Sequence, residues 1–327
     1  MLKKVEKHLL YINGMPTSLS LNKVISLESS GTTGDIKLIQ HDLNDLFGIF
    51  EKQEVSSDTT VSLLNIKHAA GLNLLLKNSY WKKRTYFFSQ EYLSKLPSFL
   101  RKMKNCEIHL TPSIYRFIIF KYGKVFFESM DISQMSFGSE PLSLDIIKSI
   151  YPQIRIKQVY GSTETWEVPS ITNTLDPRFI KIDPNFYQYK IKDKELYLKG
   201  YTSLNTPIDE DGYFKTEDLV EENGNYLRIT GRKGRILNIA GKLISLDEVE
   251  SFVEAQMEEV SKCLAFVKSC PILDSKLGLK VILKRDIPIG YLKKSIRALF
   301  KERFHKPAII EKVSYFKLSP NLKAVYE

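Results

Sequence analysis

Between residues 22 and 160, stretches with strand character alternate with stretches that have helical spacing. The strand-like stretches are KVISL, TVSLLNI, RTYFFS and EIHLTP. The helix-like ones are DLNDLFGIFEKQ, GLNLLLKN, EYLSKLPSFLRKMK and PLSLDIIKSIYP, and the proline that opens the last one suits a first helical turn. This alternation predicts an α/β sheet and argues against an all-helical or an all-β chain.

The pattern changes twice after residue 177. From 178 to 232, short β-prone pieces such as ELYLKG and NGNYLRIT alternate with turn residues, which predicts a small β-rich module. From 235 to 327 the predicted order is helix, strand, strand, helix, strand, and the first helix opens with a serine followed by acids. We therefore predict a core domain over 1–232, with an α/β part (22–177) and a β-rich part (178–232), and a small α+β C-terminal domain over 235–327.

The net charge of +10 is compatible with nucleic acid, an anionic membrane or an anionic substrate as partner. The basic residues are scattered along the chain, and we find no sustained basic stripe with interleaved aromatic residues. We therefore expect no nucleic acid partner. Basic residues scattered in this way are compatible with a protein that binds an anionic substrate.

Apolar runs are short, so we expect no membrane insertion. The basic N-terminal segment is interrupted by Glu6, Lys7 and His8 before a signal-peptide core could form. The three cysteines include no CxxC pair, which fits a reducing compartment. The expected location is the cytoplasm.

The stretch SLESSGTTGDIK, residues 26–37, combines glycines, hydroxyl side chains and a lysine directly after a strand-like run. Glycines allow backbone amides to approach a ligand, hydroxyls add hydrogen bonds and lysine adds positive charge, so this loop suits a polyphosphate. Only two residues separate Gly31 from Gly34, so the pattern is not the usual P-loop. A flexible surface turn is the alternative reading.

Two further stretches have their polar residues at predicted turns. QVYGSTETWE, residues 158–167, follows a strand-like run and places Glu164 beside hydroxyls, where one carboxylate could bind Mg²⁺ together with substrate phosphates. The second stretch runs from DGYFKTEDL to ITGRKGRILNIAGKLISLDEVE over residues 211–250. Turns of this kind are where binding residues concentrate.

In this order and at this spacing, the three stretches resemble motifs of the adenylate-forming superfamily, which includes acyl- and aryl-CoA synthetases, adenylation domains of nonribosomal peptide synthetases and luciferases. SSGTTGDIK is similar to the phosphate loop of that superfamily, with Ile36 where proline is usual. QVYGSTET and YFKTEDL with ITGRKGR are similar to its tyrosine-glycine and ribose-binding segments. The resemblance implies a truncated N-terminal α/β domain with a β-rich module, followed by a small mobile α+β domain.

The resemblance also implies roles for individual residues. Asp218 would accept the ribose hydroxyls with help from Arg232, and Thr163 and Glu164 would contact the α-phosphate and Mg²⁺ respectively. His68 would lie on the substrate side with Phe137 and Ser162. For His68, a histidine packed in the core is an equally open alternative. The remaining nucleotide contacts would be Ser29, Ser30, Gly31, Thr32, Thr33, Gly34 and Lys37 around the β- and γ-phosphates, and Gly138, Ser139, Glu140, Tyr160 and Gly161 around adenine.

In this superfamily the C-terminal domain supplies a catalytic lysine and rotates between two half-reactions. The resemblance places the lysine at Lys323, three residues after Pro320 and with Leu322 where glycine is usual. An ordinary surface lysine is the alternative. The hinge would lie at 233–234, with Gly234 as the residue that absorbs the dihedral change.

The implied activity is activation of a carboxylic acid by ATP and Mg²⁺, followed by transfer of the acyl group to CoA or to the phosphopantetheine of a carrier protein. The apolar surroundings of Tyr115, Phe117 and Phe137 favour an aryl or medium acyl acid over an amino acid. A non-catalytic nucleotide-binding relic is the alternative of another class. Only 28 residues precede the phosphate loop, so we expect a miniature enzyme or one completed by another chain, for which a homodimer is one arrangement.

Overall fold

The structure is a computed structural model that describes residues 10–12, 15–16, 23–30, 36–53, 59–139, 142–150, 154–239, 242–270, 274–300 and 306–314. Its first half alternates strands with helices, as the sequence predicts. The elements in chain order are β1 (Leu10–Ile12), β2 (Met15–Pro16), β3 (Val24–Ser30), β4 (Ile36–Asp42), α1 (Leu43–Glu51), β5 (Thr59–Ser62), α2 (Ala69–Tyr80), β6 (Arg84–Phe87), α3 (Leu96–Leu100), β7 (Cys106–Leu110), α4 (Pro112–Tyr122), β8 (Ile132–Phe137), α5 (Leu144–Ile150) and β9 (Arg155–Gln158).

Seven of these strands form one sheet in the order β2-β1-β6-β5-β7-β8-β9. The pairs from β1 to β9 are parallel, and only β1 with β2 is antiparallel. Parallel pairs need helical crossovers, which is why strands and helices alternate along the sequence. The carboxyl ends of β7, β8 and β9 consequently lie at one edge, where polar segments follow.

The two faces of this sheet differ in chemistry because successive side chains of a strand point to opposite faces. One face carries Ile108, Leu110, Met135 and Phe137, which pack with α3, α4 and α5 in the largest apolar core. The other face is buried and polar, and includes Thr60, Ser62, Glu107, His109, Gln134 and Ser136.

A separate antiparallel hairpin is formed by β3 and β4, in a register that places Ser29 opposite Lys37 and Ser30 opposite Ile36. The KVISL strand therefore pairs with β4 and is not part of the parallel sheet, contrary to the simple alternation read from the sequence. Asp42 caps α1 by accepting a hydrogen bond from the Asn44 amide at 2.8 Å.

The second half begins with the hairpin β10 (Tyr160–Ser162) and β11 (Trp166–Val168). A six-stranded antiparallel sheet follows in the order β12-β13-β17-β16-β15-β14. Its strand β12 precedes residue 178, so the β-rich region begins before the predicted position. The strands are β12 (Ser170–Thr172), β13 (Ile180–Ile182), β14 (Gln188–Lys192), β15 (Glu195–Lys199), β16 (Phe214–Asn223) and β17 (Tyr226–Arg232).

The C-terminal part has the predicted order of helix, strand, strand, helix, strand after one added hairpin. Ser245 caps its first helix by accepting from the Glu248 amide at 3.3 Å, as the sequence predicts. The elements are β18 (Ile236–Ile239), β19 (Lys242–Ser245), α6 (Leu246–Gln256), β20 (Val260–Cys270), β21 (Asp274–Leu283), α7 (Ile289–Leu299) and β22 (Ile309–Lys312).

Two local predictions are wrong. Residues Gln90–Lys95 form a 3-10 helix, and only Leu96–Leu100 of that predicted helix is α-helical, with Pro97 in its first turn. The last helix of the α/β part begins at Leu144, after the proline that was expected to open it. Among the described residues, no helix is long and apolar enough to cross a membrane.

Candidate functional site

Asp218 is the centre of a hydrogen-bonded group of three side chains. Arg232 Nε donates to Asp218 Oδ1 at 2.8 Å, and Tyr160 Oη donates to Asp218 Oδ2 at 2.7 Å. Asp218 is only 5% exposed. The structure thus brings together the three residues that the resemblance assigns to ribose and adenine.

The antiparallel pairing of β16 with β17 explains this arrangement, because it places Asp218 directly opposite Arg232. The register shifts between Leu219 and Val220, and Glu217 has a positive φ of 62°. An irregular strand of this kind redirects a side chain, as bulges beside binding sites commonly do. The Asp218 amide also donates to Thr216 Oγ1 at 3.0 Å, which fixes the backbone at this point.

Burial and the charge of Asp218 shift the pKa values of its two partners, Tyr160 and Arg232. Burial raises the pKa of Tyr160, and the adjacent Asp218 carboxylate raises it further, so the phenol keeps its proton and remains a donor. Loss of surrounding water opposes the charge of Arg232, but the Asp218 carboxylate outweighs it and the pKa of Arg232 is raised. Both partners therefore keep donating to Asp218 across the physiological range of pH.

Tyr160 also belongs to the hairpin that carries Thr163 and Glu164. A Cβ atom on Gly161 would lie 1.9 Å from the Trp166 carbonyl oxygen, so only glycine allows the two strands to approach this closely. Ser162 Oγ accepts from the amides of Glu164 and Thr165, each at 3.2 Å. The structure therefore shows this hydroxyl bonded within the turn, and its assignment to substrate stays a prediction.

The carbonyls of three successive turn residues each accept a hydrogen bond from a distant residue. The donors are His41 Nε2 to the Thr163 oxygen at 2.7 Å, the Ser203 amide to the Glu164 oxygen at 2.8 Å and Tyr187 Oη to the Thr165 oxygen at 2.8 Å. We call this set of contacts the turn clamp. With its carbonyls held in this way, the turn presents Thr163 and Glu164 from a fixed backbone.

The turn suits Mg²⁺ in a limited sense. Glu164 is half-buried and offers one carboxylate, which matches a metal that takes one or two carboxylates and completes its shell with water and phosphate oxygens. In the part of the chain that the structure describes, no group of three or more His, Cys, Asp or Glu side chains could hold a metal by itself. A metal at Glu164 would therefore depend on a bound phosphate.

The predicted phosphate loop is described only at its two ends. Ser29 and Ser30 end β3, and Lys37 lies on β4 opposite Ser29. Gly31, Thr32, Thr33 and Gly34 lie outside the described residues. The strand that carries Lys37 also carries His41 of the turn clamp.

Other predicted site residues lie around the same edge of the parallel sheet. Gly138 follows β8 and its amide donates to the Leu110 carbonyl at 3.4 Å, and the exposed Ser139 has a positive φ of 69°. Phe137 is fully buried in the apolar core. His68 is half-buried at the N-terminal end of α2, and Glu140 lies outside the described residues.

The two residues predicted for the C-terminal mechanism remain predictions. Gly234 lies in an exposed 3-10 turn, Lys233–Arg235, between β17 and β18, so the predicted hinge joins the two parts of the chain. Lys323 lies outside the described residues.

A buried ionic group beneath the hairpin was not predicted from the sequence. Glu167, on β11, accepts hydrogen bonds from Lys77 and, at 2.7 Å, from Asn73, and Lys157 lies 3.7 Å away. Burial alone would raise the pKa of Glu167, but Lys77 and Lys157 lower it to about 2. The spacing of Asn73 and Lys77, four residues apart on one helical face, was the signal that could have indicated a buried polar partner.

Three residues at or beside the turn clamp were also not predicted from the sequence: His41, Tyr187 and Tyr201. On β4, the side chains of Ile39 and His41 are buried, whereas Leu38 is exposed and Gln40 is partly exposed. This alternation is readable in the sequence, where a histidine on the inner face of a strand calls for hydrogen-bond partners. The identity of those partners depends on the tertiary fold.

No protein-family model and no curated protein matches this sequence. Solved structures do match its fold. An anthranilate CoA ligase in complex with anthranoyl-AMP has a TM-score of 0.75 at 19% identity, covering 91% of this chain and 65% of that one. The O-succinylbenzoate CoA synthetase of Bacillus subtilis, in complex with ATP and a magnesium ion, has a TM-score of 0.72 at 18% identity, covering 91% and 68%.

An amide bond synthetase from Marinactinospora thermotolerans has a TM-score of 0.72 at 13% identity, covering 91% of this chain and 67% of that one. The chain thus spans about two thirds of the length of these proteins. The likeness extends over nearly all of this chain, including both the parallel sheet and the parts that follow it. The chain has the fold of these ligases and synthetases.

Proposed function

We propose that this protein activates a carboxylic acid with ATP, forming an acyl-adenylate and pyrophosphate, and then transfers the acyl group to a thiol. One observation supports this most directly. Tyr160, which hydrogen-bonds Asp218, starts the short hairpin whose turn carries Thr163 and Glu164. The pair assigned to ribose and the turn assigned to α-phosphate and metal are therefore parts of one connected site.

Asp218 retains the capacity to bind a ribose. A carboxylate has about four acceptor positions on its two oxygens. Arg232 and Tyr160 each use one, on Oδ1 and Oδ2 respectively. The remaining lone pairs would accept the two ribose hydroxyls, and the fixed donors would hold the carboxylate in place as they bind.

In the first half-reaction a carboxylate oxygen of the acid attacks the α-phosphorus of ATP. The bond from that phosphorus to the bridging oxygen breaks, and pyrophosphate leaves. Thr163 would contact the α-phosphate, and Glu164 would hold Mg²⁺, which would supply positive charge beside the phosphate oxygens. Lys37 and Lys323 would add the remaining positive charge near the leaving group and the α-phosphate.

In the second half-reaction a thiolate attacks the acyl carbonyl carbon, and AMP leaves with the oxygen that came from the acid. We propose CoA as the thiol, with a carrier protein as the alternative acceptor. The solved neighbours that carry CoA ligase or CoA synthetase names favour CoA, whereas another neighbour is named an amide bond synthetase.

The acid is proposed to be an aryl or medium acyl acid. Tyr115, on the helix α4 that follows β7, packs edge-on against Phe137, with ring centroids 5.9 Å apart, and stacks on Phe127 at 5.6 Å. Phe117, in contrast, is 43% exposed on the outer face of α4. Tyr115, Phe127 and Phe137 are buried in the apolar core, so the proposal of an apolar acid rests on the apolar composition of this region.

A magnesium-dependent pyrophosphate exchange assay over a panel of carboxylic acids tests the proposal. We expect exchange with aryl or medium acyl acids and none without acid or without Mg²⁺. Stimulation by amino acids alone would contradict the proposed acid class. Silence across the whole panel, with ATP still bound, would instead favour a nucleotide-binding relic.

A further inference from the structure

The clamp residue His41 occupies a distinctive position, because it lies on the same strand as the phosphate-loop end. β4 starts at Ile36, directly after the glycine-rich loop, and His41 follows five residues later, about 17 Å along an extended strand. Its side chain is fully buried. One strand thus leads from the glycine-rich loop to the turn that carries Glu164.

The hydrogen bonds of His41 define its protonation. Nε2 lies 2.7 Å from the Thr163 carbonyl oxygen, and Nδ1 lies 2.6 Å from Tyr201 Oη. A carbonyl oxygen only accepts, so Nε2 carries the proton and Nδ1 of the neutral ring accepts from the tyrosine hydroxyl. Burial lowers the pKa of His41, which favours this neutral ring.

Tyr201 is itself linked to the turn through Tyr187. The Tyr187 hydroxyl lies 2.8 Å from the carbonyl oxygens of both Tyr201 and Thr165, so its single proton is shared between these two acceptors. The segment that follows Tyr201 is bonded to β4: the Leu204 amide donates to the Gln40 carbonyl at 2.8 Å. The turn, the strand and this segment therefore form one hydrogen-bonded unit.

We propose that His41 is a positioning residue that holds the Thr163–Glu164 turn against β4. It does so by donating to the Thr163 carbonyl from that strand. This inference rests on the proposed function for its ligand, a nucleoside triphosphate with its metal. Asp218 and Arg232 lie on β16 and β17, which are separate from this strand, and Asp218 also holds Tyr160 by a hydrogen bond, so binding of the adenosine half should depend little on His41.

Two variants separate the hydrogen bond from the packing. His41→Gln keeps a donor near the position of Nε2, whereas His41→Phe keeps a ring against Trp166, whose centroid is 4.7 Å from that of His41, and removes the donor. Tyr201→Phe removes the hydroxyl that donates to Nδ1. Tyr226→Phe, at a tyrosine on β17 outside the turn clamp, is the matched control.

The first measurement is hydrogen exchange in the ligand-free protein. His41→Phe should speed exchange about tenfold or more in peptides covering residues 160–168, with peptides from α6 unchanged. His41→Gln should restore most of the protection, and Tyr201→Phe should fall between the two. Unchanged exchange at 160–168 in His41→Phe, or a Gln variant no better than Phe, would overturn the proposal.

The second measurement is calorimetric binding of adenosine and of ATP with Mg²⁺. We expect His41→Phe to weaken ATP·Mg²⁺ about tenfold while adenosine binding stays within twofold. Glu164→Gln serves as the reference for complete loss of the metal contact. Equal weakening of both ligands would overturn the proposal, since it would indicate general damage. If the wild-type protein bound neither ligand, the proposed function would fail, and the exchange comparison would still decide the role of His41.

Discussion

Arg232 and Asp218 lie directly opposite each other on β17 and β16, and Arg232 Nε donates to Asp218 Oδ1 at 2.8 Å. The same two strands carry a second opposed pair, Arg228 and Glu221, bonded at 3.0 Å through Arg228 Nε. The pairs differ in burial, because the side chain of Asp218 is 7% exposed and that of Glu221 is 52% exposed. Exposed pairs contribute little to stability, whereas a buried carboxylate is costly unless it is fully bonded.

Asp218→Ala should reduce adenylation by at least about a hundredfold, because the ribose loses its acceptor and the reacting groups lose their alignment. Glu221→Ala removes a carboxylate from the same strand and should leave activity within about twofold. Pyrophosphate exchange and AMP binding check both variants. Full activity in Asp218→Ala would remove Asp218 from the site.

Substitutions in the C-terminal domain and in its hinge should affect the two half-reactions differently. Lys323→Ala should abolish adenylate synthesis and leave transfer from a presynthesised acyl-adenylate largely intact. Gly234→Pro should do the reverse, because a fixed φ in the Lys233–Arg235 turn would hold one domain orientation. Stopped-flow assays of each half-reaction measure this, and equal loss of both steps in both variants would contradict domain alternation.

Glu250 should make a contribution to stability that decreases as the pH rises towards neutrality. Burial raises the pKa of Glu250 to about 7, although Arg235 opposes the shift and Asp247 adds to it. The native state therefore keeps a proton that the unfolded chain releases near the ordinary glutamate pKa of 4.5. This contribution is fully present below that value and is lost as the pH rises through about 7, at a slope of up to about 1.4 kcal/mol per pH unit.

Glu250→Gln should flatten this dependence, since glutamine keeps the oxygen that accepts from the Ala265 amide at 2.7 Å. Urea unfolding gives the free energy of unfolding of wild type and variant at several pH values between 5 and 8. The difference between the two proteins is then followed as a function of pH. Glu258→Gln, at an exposed glutamate just after α6, is the control and should keep the wild-type slope. If the free energy of unfolding of Glu250→Gln fell with pH as steeply as that of wild type, the raised pKa of Glu250 would be contradicted.

Gly161→Ala should destabilise the protein by more than about 3 kcal/mol, because its Cβ would overlap the Trp166 carbonyl oxygen. Gly48 is the matched control. It lies within α1, where an added Cβ would meet nothing within 4 Å, so Gly48→Ala should stabilise by up to about 1 kcal/mol. Thermal unfolding of both variants provides the test, and a Gly161→Ala protein as stable as wild type would show that the hairpin can open.

The parts predicted correctly from the sequence are those controlled by local patterns. Strand and helix alternation predicted the α/β sheet, and the serine before LDEVES predicted the cap that the Ser245 hydroxyl makes. The structure also brings into contact Tyr160, Asp218 and Arg232, which the resemblance assigns to the nucleotide, and their roles stay a prediction.

What could not be predicted depends on residues far apart in the chain. His41 meets Thr163 across 122 positions and Tyr201 across 160, and neither partner has a local signal. Lys77 meets Glu167 across 90 positions, so its helix appeared as an ordinary apolar helix with one charge. The 3-10 form of Gln90–Lys95 was missed because its helical spacing does not distinguish a 3-10 helix from an α-helix over one or two turns.

The most direct test of the account is to follow an oxygen atom. The protein is incubated with ATP, Mg²⁺, CoA and an aryl acid labelled with ¹⁸O in its carboxylate, and the nucleotide products are analysed by mass spectrometry. Attack of the carboxylate on the α-phosphorus, followed by thiol transfer, predicts AMP that contains one ¹⁸O atom and unlabelled pyrophosphate. Label in inorganic phosphate with ADP as the product, or acyl transfer with unlabelled AMP, would contradict adenylation as the chemistry of this site.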